Sequence, residues 1–293
     1  TGPSTGMPTR TQQGDLLLCA YASHGDTKHI LLLPADPGEC FTFAVAAFDI
    51  AERFQTPVFV LTDLDIGMND WMVPRLRWDD RYRPDRGKVL SAEELERITR
   101  FHRYLDVDGD GVAPRTLPGV HPKGAFFTRG SGHNKYGGYT EDAGEYSEVM
   151  QRLERKLANA AAQLPAPEIR TSPGATIGLV SAGGCHRAVL EGIERLAERG
   201  IRVDYMRIRA FPFTPEVGAF LQGHDRIFVI EQNRDGQLAS LLSLETGYPR
   251  RALEKVGTFG GIPLSARDVV DGILGALEAA VPPAVATPRR ANA

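Results

Sequence analysis

The 293-residue sequence has little cysteine, no marked excess of charge and no long apolar run. Its 34 Lys and Arg nearly balance its 37 Asp and Glu, and the formal net charge of -3 creates no field that would draw nucleic acid or a membrane surface. No apolar run reaches the roughly 18 residues of a membrane span, and residues 1–16 lack the charged-then-apolar layout of a signal peptide. We therefore expect a cytoplasmic globular protein that binds neither nucleic acid nor membrane.

The shortage of cysteine limits the chemistry that the chain can supply by itself. Cys19, Cys40 and Cys185 are far apart and lie in apolar or helical contexts, which predicts reduced, buried thiols. Three thiols cannot provide the four thiolates of a typical iron–sulfur cluster. The sequence therefore excludes such a cluster built from this chain alone.

What the sequence does contain is an alternation of strand and helix patterns. Two apolar runs of strand length, 29–36 and 57–64, flank the segment 39–54, whose apolar residues recur at helical spacing. Asp36 and Pro37 suit the cap and the first turn of that helix. Strand, helix and strand in this order predict a crossover between two parallel strands.

The same alternation resumes in the second half. A charged helix is predicted at about 145–164, and the prolines of 165–174 indicate a linker between domains. Four strand–helix pairs follow, which is typical of a doubly wound sheet. The predicted fold class is therefore α/β, with two doubly wound domains at 1–164 and 175–280 and a disordered tail at 281–293.

Two conspicuous motifs favour ordinary structural roles. DVDGDG at 106–111 matches the start of a calcium loop, but Leu117 occupies the twelfth position, where a bidentate Glu belongs, so a polar turn is favoured. The Trp- and Arg-rich segment 71–86 would suit single-stranded nucleic acid, but Asp residues interrupt its basic residues. A loop that contacts another subunit is the preferred interpretation of this segment.

Two turns that follow predicted strands leave a ligand role open. SAGGCHRA at 181–188 joins a strand end to a helix start, which can cradle phosphate or serve only as a tight turn, with His186 as a surface or capping residue. EQNRDGQL at 231–238 sets Glu231 and Asn233 at the carboxyl edge of the sheet. There they form either a partner or ligand edge or a capped turn.

Two glycine-containing loops are the remaining candidates. The loop 126–142 carries Arg129 and His133, which could face an anionic substrate at the mouth of an active site, although an ordinary ordered loop has the same composition. TGPSTGMPTRTQQGDL, residues 1–16, has the composition of a loop whose backbone closely approaches a polar ligand. Thr1 as an N-terminal nucleophile is less favoured than a chain boundary, because such hydrolases carry layered antiparallel sheets.

Taken together, several segments resemble one family. They are TGPSTGMPTRTQQGDL, PGECFTFAVAAFDIAERFQTPVFVLTD, RTLPG with GHNKYG, and EQNRDGQL. This combination resembles the α subunit of 2-oxoacid:ferredoxin oxidoreductases over residues 1–275, and the two-subunit 2-oxoglutarate branch most of all. The resemblance implies the C-terminal portion of such a subunit, with a partial thiamine pyrimidine-binding (transketolase-like) domain followed by a transketolase C-terminal-like domain.

The resemblance also implies a reaction and its residues. The expected reaction is oxidative decarboxylation of 2-oxoglutarate with coenzyme A, giving succinyl-CoA, carbon dioxide and electrons for ferredoxin. Thr5 would help to bind the 2-oxoacid carboxylate, and Ser4 and Gly2 would shape its loop. Another 2-oxoacid (pyruvate or a branched-chain acid) or a non-catalytic assembly role remains an alternative.

The cofactors and partners implied by the resemblance lie mostly on other chains. Thiamine pyrophosphate, Mg²⁺ and a 4Fe-4S cluster are expected, with the diphosphate, Mg²⁺ and the cluster on a β subunit. The expected assembly is (αβ)₂, with the N-terminal part of the α subunit and ferredoxin as further partners. Activity is expected only in that assembly.

Overall fold

The computed structural model describes residues 7–128 and 130–279, in which helices and strands alternate for most of the chain. In chain order the elements are α1 (Leu16–Ala20), β1 (Ile30–Leu32), α2 (Pro37–Phe54), β2 (Val58–Val60), α3 (Leu64–Met68), α4 (Ala92–Arg97), α5 (Ala143–Ala161), β3 (Glu168–Arg170), β4 (Ile177–Ala182), α6 (His186–Ala197), β5 (Val203–Ile208), β6 (Ala210–Phe211), α7 (Pro215–Gln222), β7 (Arg226–Ile230), α8 (Gln237–Thr246), β8 (Leu253–Val256) and α9 (Ala266–Ala279). The predicted tail 281–293 lies outside the described residues.

The first sheet has the strand order β2-β1-β6. β1 and β2 run parallel, with Ile30 opposite Val58, and α2 makes the crossover between them. The side chain of Asp36 accepts a hydrogen bond from the N–H of Glu39 at 3.0 Å, and Pro37 occupies the first turn of α2. The crossover, its cap and its first turn that the sequence predicted are thus confirmed.

The second sheet has the order β3-β5-β4-β7-β8 and is parallel except for its edge strand β3. Val180 and Val229 face a core shared with α7 and α8. Leu179 and Phe228, which point the other way, pack in a core with α6 and α9. Helices therefore cover both faces, as the apolar strand runs predict for a doubly wound sheet. The α/β fold class with parallel sheets is confirmed.

The connection between the two halves is more structured than the sequence suggested. The segment 165–174, predicted as a linker, contributes β3, which pairs antiparallel with β5 through Ile169 opposite Met206. The short strand β6 crosses back and pairs antiparallel with β1. The backbone groups of this region thus find partners in both sheets, and the two halves share hydrogen bonds instead of being joined only by a tether. The domain boundaries themselves stay predictions.

An ion-pair network at this junction holds β5 against α2 and β3. Arg207 is 4% exposed and donates to Glu39 at 2.6 and 2.9 Å and to Glu168 at 2.8 and 3.1 Å. Arg209 adds two further bonds to Glu39, at 3.0 and 3.2 Å. Because a buried guanidinium needs carboxylate partners, this network fixes which surfaces of the two halves meet.

The region 69–142 is mostly loop and contains the short helix α4. Its segment 71–86 lies along α2, where the ring of Trp78 packs edge-on against Phe41 and the backbone N–H of Asp85 donates to Asp49 at 2.9 Å. Trp78 is still 56% exposed, and the subunit contact expected of this segment stays a prediction. Among the helices of the described ranges, none is long and apolar enough to cross a membrane.

One expectation for the second half is wrong. His186 is neither a surface residue nor a side-chain cap, because it is 6% exposed at the start of α6 and its Nδ1 lies 3.0 Å from the hydroxyl of Tyr205. Burial and then the charge of Arg207 lower the pKa of His186 to about 4, so the ring is neutral. The three cysteines are free thiols, with Cys185 buried and Cys19 and Cys40 partly buried.

Candidate functional site

A cleft opens where the carboxyl ends of β1, β2 and β4 meet. It holds about 420 Å³, including its open mouth. Its lining consists of the segment before α1 and the residues that follow the three strands, namely Gln12, Gln13, Gly14, Asp15, Leu16, Leu33, Leu61, Thr62, Asp63, Ala182 and Gly183. The carboxyl ends of parallel strands are where α/β sheets bind ligands, so this cleft is the candidate site.

Gln13 joins the segment before α1 to the second sheet through hydrogen bonds. Its side-chain amide donates to the carbonyl of Ala182 at 2.8 Å, and its Oε1 accepts from the N–H of Gln232 at 3.1 Å and from the thiol of Cys185 at 3.3 Å. Its backbone N–H donates to the carbonyl of Gln232 at 2.9 Å. One side chain thus satisfies buried groups at the ends of both β4 and β7, which holds the cleft wall in place.

Glu231 and Asn233 hold the same wall from the other side. The fully buried carboxylate of Glu231 accepts from the amide of Asn233 at 2.6 Å and from the N–H groups of Leu238 and Ala239 in α8. Asn233 also donates to the carbonyl of Gln13 at 3.1 Å. The structure places both residues in internal hydrogen bonds that cap α8 and support Gln13. Their predicted contact with a ligand or partner stays a prediction.

Asp63 and the turn Gly183–Gly184 form the polar floor of the cleft. The carboxylate of Asp63 caps α3 through the N–H of Ile66 at 3.1 Å and accepts from the N–H of Gly184 at 3.2 Å. A Cβ at Gly184 would lie 2.6 Å from Asp63 Oδ2, and so glycine is required for this approach. Burial raises the pKa of Asp63. The turn that could cradle a phosphate thus binds a carboxylate of the chain itself.

The loop residues predicted at the mouth of the site are only partly described. His133 stacks on Tyr104, with ring centroids 3.7 Å apart, and its Nδ1 lies 3.0 Å from the carbonyl of Asn134. Arg129, Thr5, Ser4 and Gly2 lie outside the described residues. Of the predicted site residues, the structure therefore brings Glu231 and Asn233 to the cleft wall and shows His133 in an aromatic stack of the loop region. The roles expected for all seven stay predictions.

Two residues of the cleft, Gln13 and Asp63, were not among the predicted site residues. Asp63 follows a predicted strand and could have been found as a polar residue at the carboxyl edge of a sheet. Gln13 carried no comparable signal, because its partners Ala182 and Gln232 are 169 and 219 residues away. Only the folded chain brings them together.

The aspartates of the calcium-like motif enclose an ammonium group. One ligand oxygen from each of Asp106, Asp108 and Asp110 lies within 4.8 Å of the others. Lys88 Nζ donates to Asp108 and to Asp110, both at 2.6 Å, and to the carbonyl of Val112 at 2.9 Å. The lysine thus already provides a positive charge for this turn. In residues 7–128 and 130–279 no other group of three or more His, Cys, Asp or Glu has metal-binding proximity.

Comparison with known protein families gives one match, over the first third of the chain. Residues 1–93 match the family described as pyruvate flavodoxin/ferredoxin oxidoreductase, thiamine diphosphate-binding. This segment includes α1, β1, α2 and β2 and most of the residues that line the cleft. The cleft thus lies in the part of the chain that is similar to a cofactor-binding domain.

The particular proteins that it resembles are subunits of 2-oxoacid and 2-oxoglutarate enzymes. The chain is 34% identical over 283 residues to subunit alpha of 2-oxoacid:ferredoxin oxidoreductase 2 from Aeropyrum pernix, covering 94% of this chain and 42% of that protein. It is 30% identical over 238 residues to the 2-oxoglutarate synthase subunit KorA of Methanothermobacter thermautotrophicus, covering 79% of this chain and 60% of that protein. The chain therefore spans about two fifths to three fifths of the length of these relatives.

A solved structure supports the fold. The 2-oxoglutarate:ferredoxin oxidoreductase from Magnetococcus marinus, which was solved with 2-oxoglutarate, coenzyme A and succinyl-CoA bound, matches with a TM-score of 0.74. The match covers 94% of this chain and 46% of that chain at 24% identity. At this identity the likeness establishes the shared fold and nothing about the ligands of the present chain.

Proposed function

We propose that this chain is part of the α subunit of a thiamine-dependent 2-oxoglutarate:ferredoxin oxidoreductase. The reaction converts 2-oxoglutarate and coenzyme A to succinyl-CoA and carbon dioxide and transfers two electrons to ferredoxin. The observation that carries the proposal is the match of residues 1–93 to a thiamine diphosphate-binding family, over the residues that form most of the cleft. The α subunits among its relatives support the same assignment.

The choice of 2-oxoglutarate rests on the relatives. Several of them are named as 2-oxoglutarate enzymes, among them those from Methanothermobacter thermautotrophicus and Mycobacterium tuberculosis. The name of the matching family, however, refers to pyruvate. Pyruvate is therefore a second candidate substrate. A branched-chain 2-oxoacid is the third.

In this proposal the cleft would accept one face of a flat polar ring, the aminopyrimidine of thiamine diphosphate. Leu33 and Leu61 would provide an apolar wall that excludes water, and the hydroxyl of the exposed Thr62 would be available at the rim. When bound, thiamine diphosphate supplies the carbanion-stabilising chemistry, while the protein positions and shields the reacting groups. We assign binding of the substrate carboxylate to Thr5, whose loop Ser4 and Gly2 would shape, because a hydroxyl is a suitable donor to that group.

The described residues do not fit the other expected groups. A 4Fe-4S cluster needs four thiolates, whereas the chain has three cysteines, and burial strongly raises the pKa of the Cys185 thiol. In the aspartate trio that could hold Mg²⁺, Asp108 and Asp110 are paired with Lys88, and Asp106 is paired with Arg155. We therefore assign the cluster, Mg²⁺ and the diphosphate to the β subunit, as in the resemblance.

The remaining parts of the proposal concern the assembly. The chain would act with the N-terminal part of the α subunit and with a β subunit, in an (αβ)₂ complex that reduces ferredoxin in the cytoplasm. Its partial coverage of its relatives supports the need for further segments. In this assembly Arg129 and His133 would lie at the mouth of the active site.

The proposal is tested by measuring substrate-dependent reduction of ferredoxin in the complete α/β complex. We expect coenzyme A-dependent activity with 2-oxoglutarate above that with pyruvate or branched-chain 2-oxoacids. Thr5→Ala should raise the KM for 2-oxoglutarate about tenfold, the effect of one lost hydrogen bond to a charged group. Thr27→Ala is the matched control, because Thr27 precedes the amino end of β1, at the opposite edge of the sheet from the cleft.

Each alternative has its own outcome. A complex that prefers pyruvate would support the second substrate. If Thr5→Ala leaves KM unchanged but weakens association with the β subunit, the loop serves assembly instead of substrate binding. A complete complex without activity towards any 2-oxoacid would refute the proposed reaction.

A further inference from the structure

Three basic side chains meet outside the cleft with too little negative charge around them. They are Arg103, from the loop after α4, and Arg152 and Lys156 on α5, and we call them the cationic cluster. Arg152 and Lys156 are four residues apart, and so they lie on the same face of the helix. All three are partly buried. Like charges held together in this way raise the free energy of the folded chain unless an anion joins them.

The protein partners of the cationic cluster are neutral. Arg103 donates to the side-chain carbonyl of Gln55 at 2.5 Å, and Arg152 donates to the backbone carbonyl of Gly111 at 2.9 Å. Arg152 Nε is buried without a hydrogen-bond partner. Within the described part of the chain, the ammonium of Lys156 has neither a hydrogen bond nor an ion pair. Donors that point at no acceptor are what an anion site presents before its ligand arrives.

The carboxylate that attracts Arg152, that of Asp106, is already engaged. Asp106 accepts from the N–H groups of Gly109 and Gly111 at 3.0 and 2.9 Å and forms an ion pair with Arg155 at 3.6 Å. It attracts Arg152, but this single charge is shared with Arg155. The cationic cluster therefore keeps an excess of positive charge over the groups that the structure places around it.

The lysine shows the effect of this excess most clearly. Burial, together with repulsion from Arg152 and Arg103, lowers the pKa of Lys156 to about 8. Burial also lowers the pKa of both arginines, and each is further lowered by a neighbouring cation. An anion bound among them would reverse the sign of this interaction and favour the charged form of the lysine.

The geometry of the cationic cluster is fixed by the backbone around it. Gly111 packs on α5 between Arg152 and Lys156, where an added Cβ would lie 2.4 Å from the backbone nitrogen of Lys156, and its φ of +90° favours glycine. Gln55 bridges the other side by donating to the carbonyl of Ala113 at 2.7 Å while accepting from Arg103. The backbone that carries Arg152 and Lys156 is thus held against the loop at Gly111.

We propose that the cationic cluster binds a phosphate group. A guanidinium presents paired donors that match two phosphate oxygens, and an ammonium adds a compact positive charge. Two arginines and one lysine suit a tetrahedral dianion better than a single carboxylate. Tyr104, whose ring centroid lies 5.8 Å from the guanidinium carbon of Arg103, stacks on His133 and gives the cationic cluster an aromatic neighbour. The phosphate could belong to coenzyme A or be free, and this assignment does not depend on the proposed reaction.

The test measures binding directly, by titration calorimetry on the complete α/β complex in phosphate-free buffer. Inorganic phosphate and coenzyme A are titrated separately, and chloride at equal ionic strength is the blank. We expect Lys156→Gln to weaken binding at least about tenfold, because it removes a charge-assisted contact. Lys135→Gln is the matched control, since Lys135 is paired with Glu148 on the surface. Lys156→Arg keeps the charge and should retain binding.

Thermal unfolding without ligand gives an independent readout. Since Lys156→Gln removes repulsion, it should leave the Tm unchanged or raise it, whereas loss of a structural lysine would lower it. Binding of both probes that Lys156→Gln weakens identifies a general phosphate site. Binding of coenzyme A alone, weakened by the same variant, identifies a phosphorylated cofactor as the source. Binding of neither probe, equal binding by Lys156→Gln, or a lower Tm of that variant without ligand would each overturn the proposal.

Discussion

Replacing Arg207 should destabilise the folded chain more than replacing any exposed arginine. Its guanidinium makes four hydrogen bonds to Glu39 and Glu168, and its side chain is only 5% exposed. Removing one partner of a buried ion pair costs about 3–5 kcal/mol, because the other charge is left without compensation. In Arg207→Met, Glu39 would keep Arg209 and the N–H of Ala35, so we expect the lower end, about 3 kcal/mol.

The measurement is the free energy of unfolding from urea titration followed by circular dichroism. The control is Arg170→Met, because Arg170 also binds Glu168, at 2.8 Å, but has 54% of its side chain exposed. An exposed pair of this kind contributes about 0–1 kcal/mol. If the two variants lose the same free energy within about 1 kcal/mol, the junction network is not the stabilising element that its burial implies.

The same network fixes a response to acid. Burial alone would raise the pKa of Glu168, but its hydrogen bonds from Arg170 and Arg207 lower it to about 2. The unfolded carboxyl titrates near 4.3, so the stabilisation is complete above that pH and is lost as the pH falls towards 2. Unfolding free energies measured across this range should fall less steeply in Arg207→Met. An equal slope in both proteins would contradict the assignment.

Three further predictions concern single positions. Gly184→Ala should cost about 1–3 kcal/mol by displacing the carboxylate of Asp63, whereas Gly218→Ala, where a Cβ meets nothing within 4 Å, should be neutral or slightly stabilising in thermal unfolding. His186 is neutral with a pKa of about 4 against about 6.5 unfolded, so stability should fall as the pH drops through that window, and His186→Gln should remove this slope. Lys88→Ala should give the aspartate turn a measurable affinity for calcium in titration calorimetry that the unsubstituted protein lacks, because it removes the internal positive charge.

The sequence predicted local elements well because their signals are local. The apolar runs at 29–36 and 57–64 contain β1 and β2, and the Asp36–Pro37 start of α2 is read from adjacent residues. The edge strand β3 was missed, because prolines on both sides of its three residues indicate a linker. A strand of that length is identified only by its partner β5, which lies more than 30 residues further along the chain.

The contacts that build the junction and the cleft were not predictable for the same reason. Arg207 and Glu39 are 168 residues apart, and Gln13 and Gln232 are 219 apart. The sequence around Gln13 or Arg207 does not indicate the partner of either residue, because many other residues of the chain could form the same kind of hydrogen bond or ion pair. The prediction of His186 as a surface or capping residue was wrong for a similar reason. Its partner, the hydroxyl of Tyr205, is not indicated by any residue near His186 in the sequence.

The cleft and the cationic cluster differ in how far their polar groups find hydrogen-bond partners within the chain. This difference bears on function. In the cleft, Gln13 and Asp63 bind groups of the chain itself, and none of the described residues that line it is basic, so the cleft provides a fixed shape and no positive charge. Under the proposed function, positive charge for an anionic 2-oxoacid would therefore come from outside this lining. The cationic cluster has the opposite character, because its donors outnumber its acceptors. A chain that supplies shape at one site and charge at another is suited to work as one part of a larger enzyme, in which partner segments complete each site.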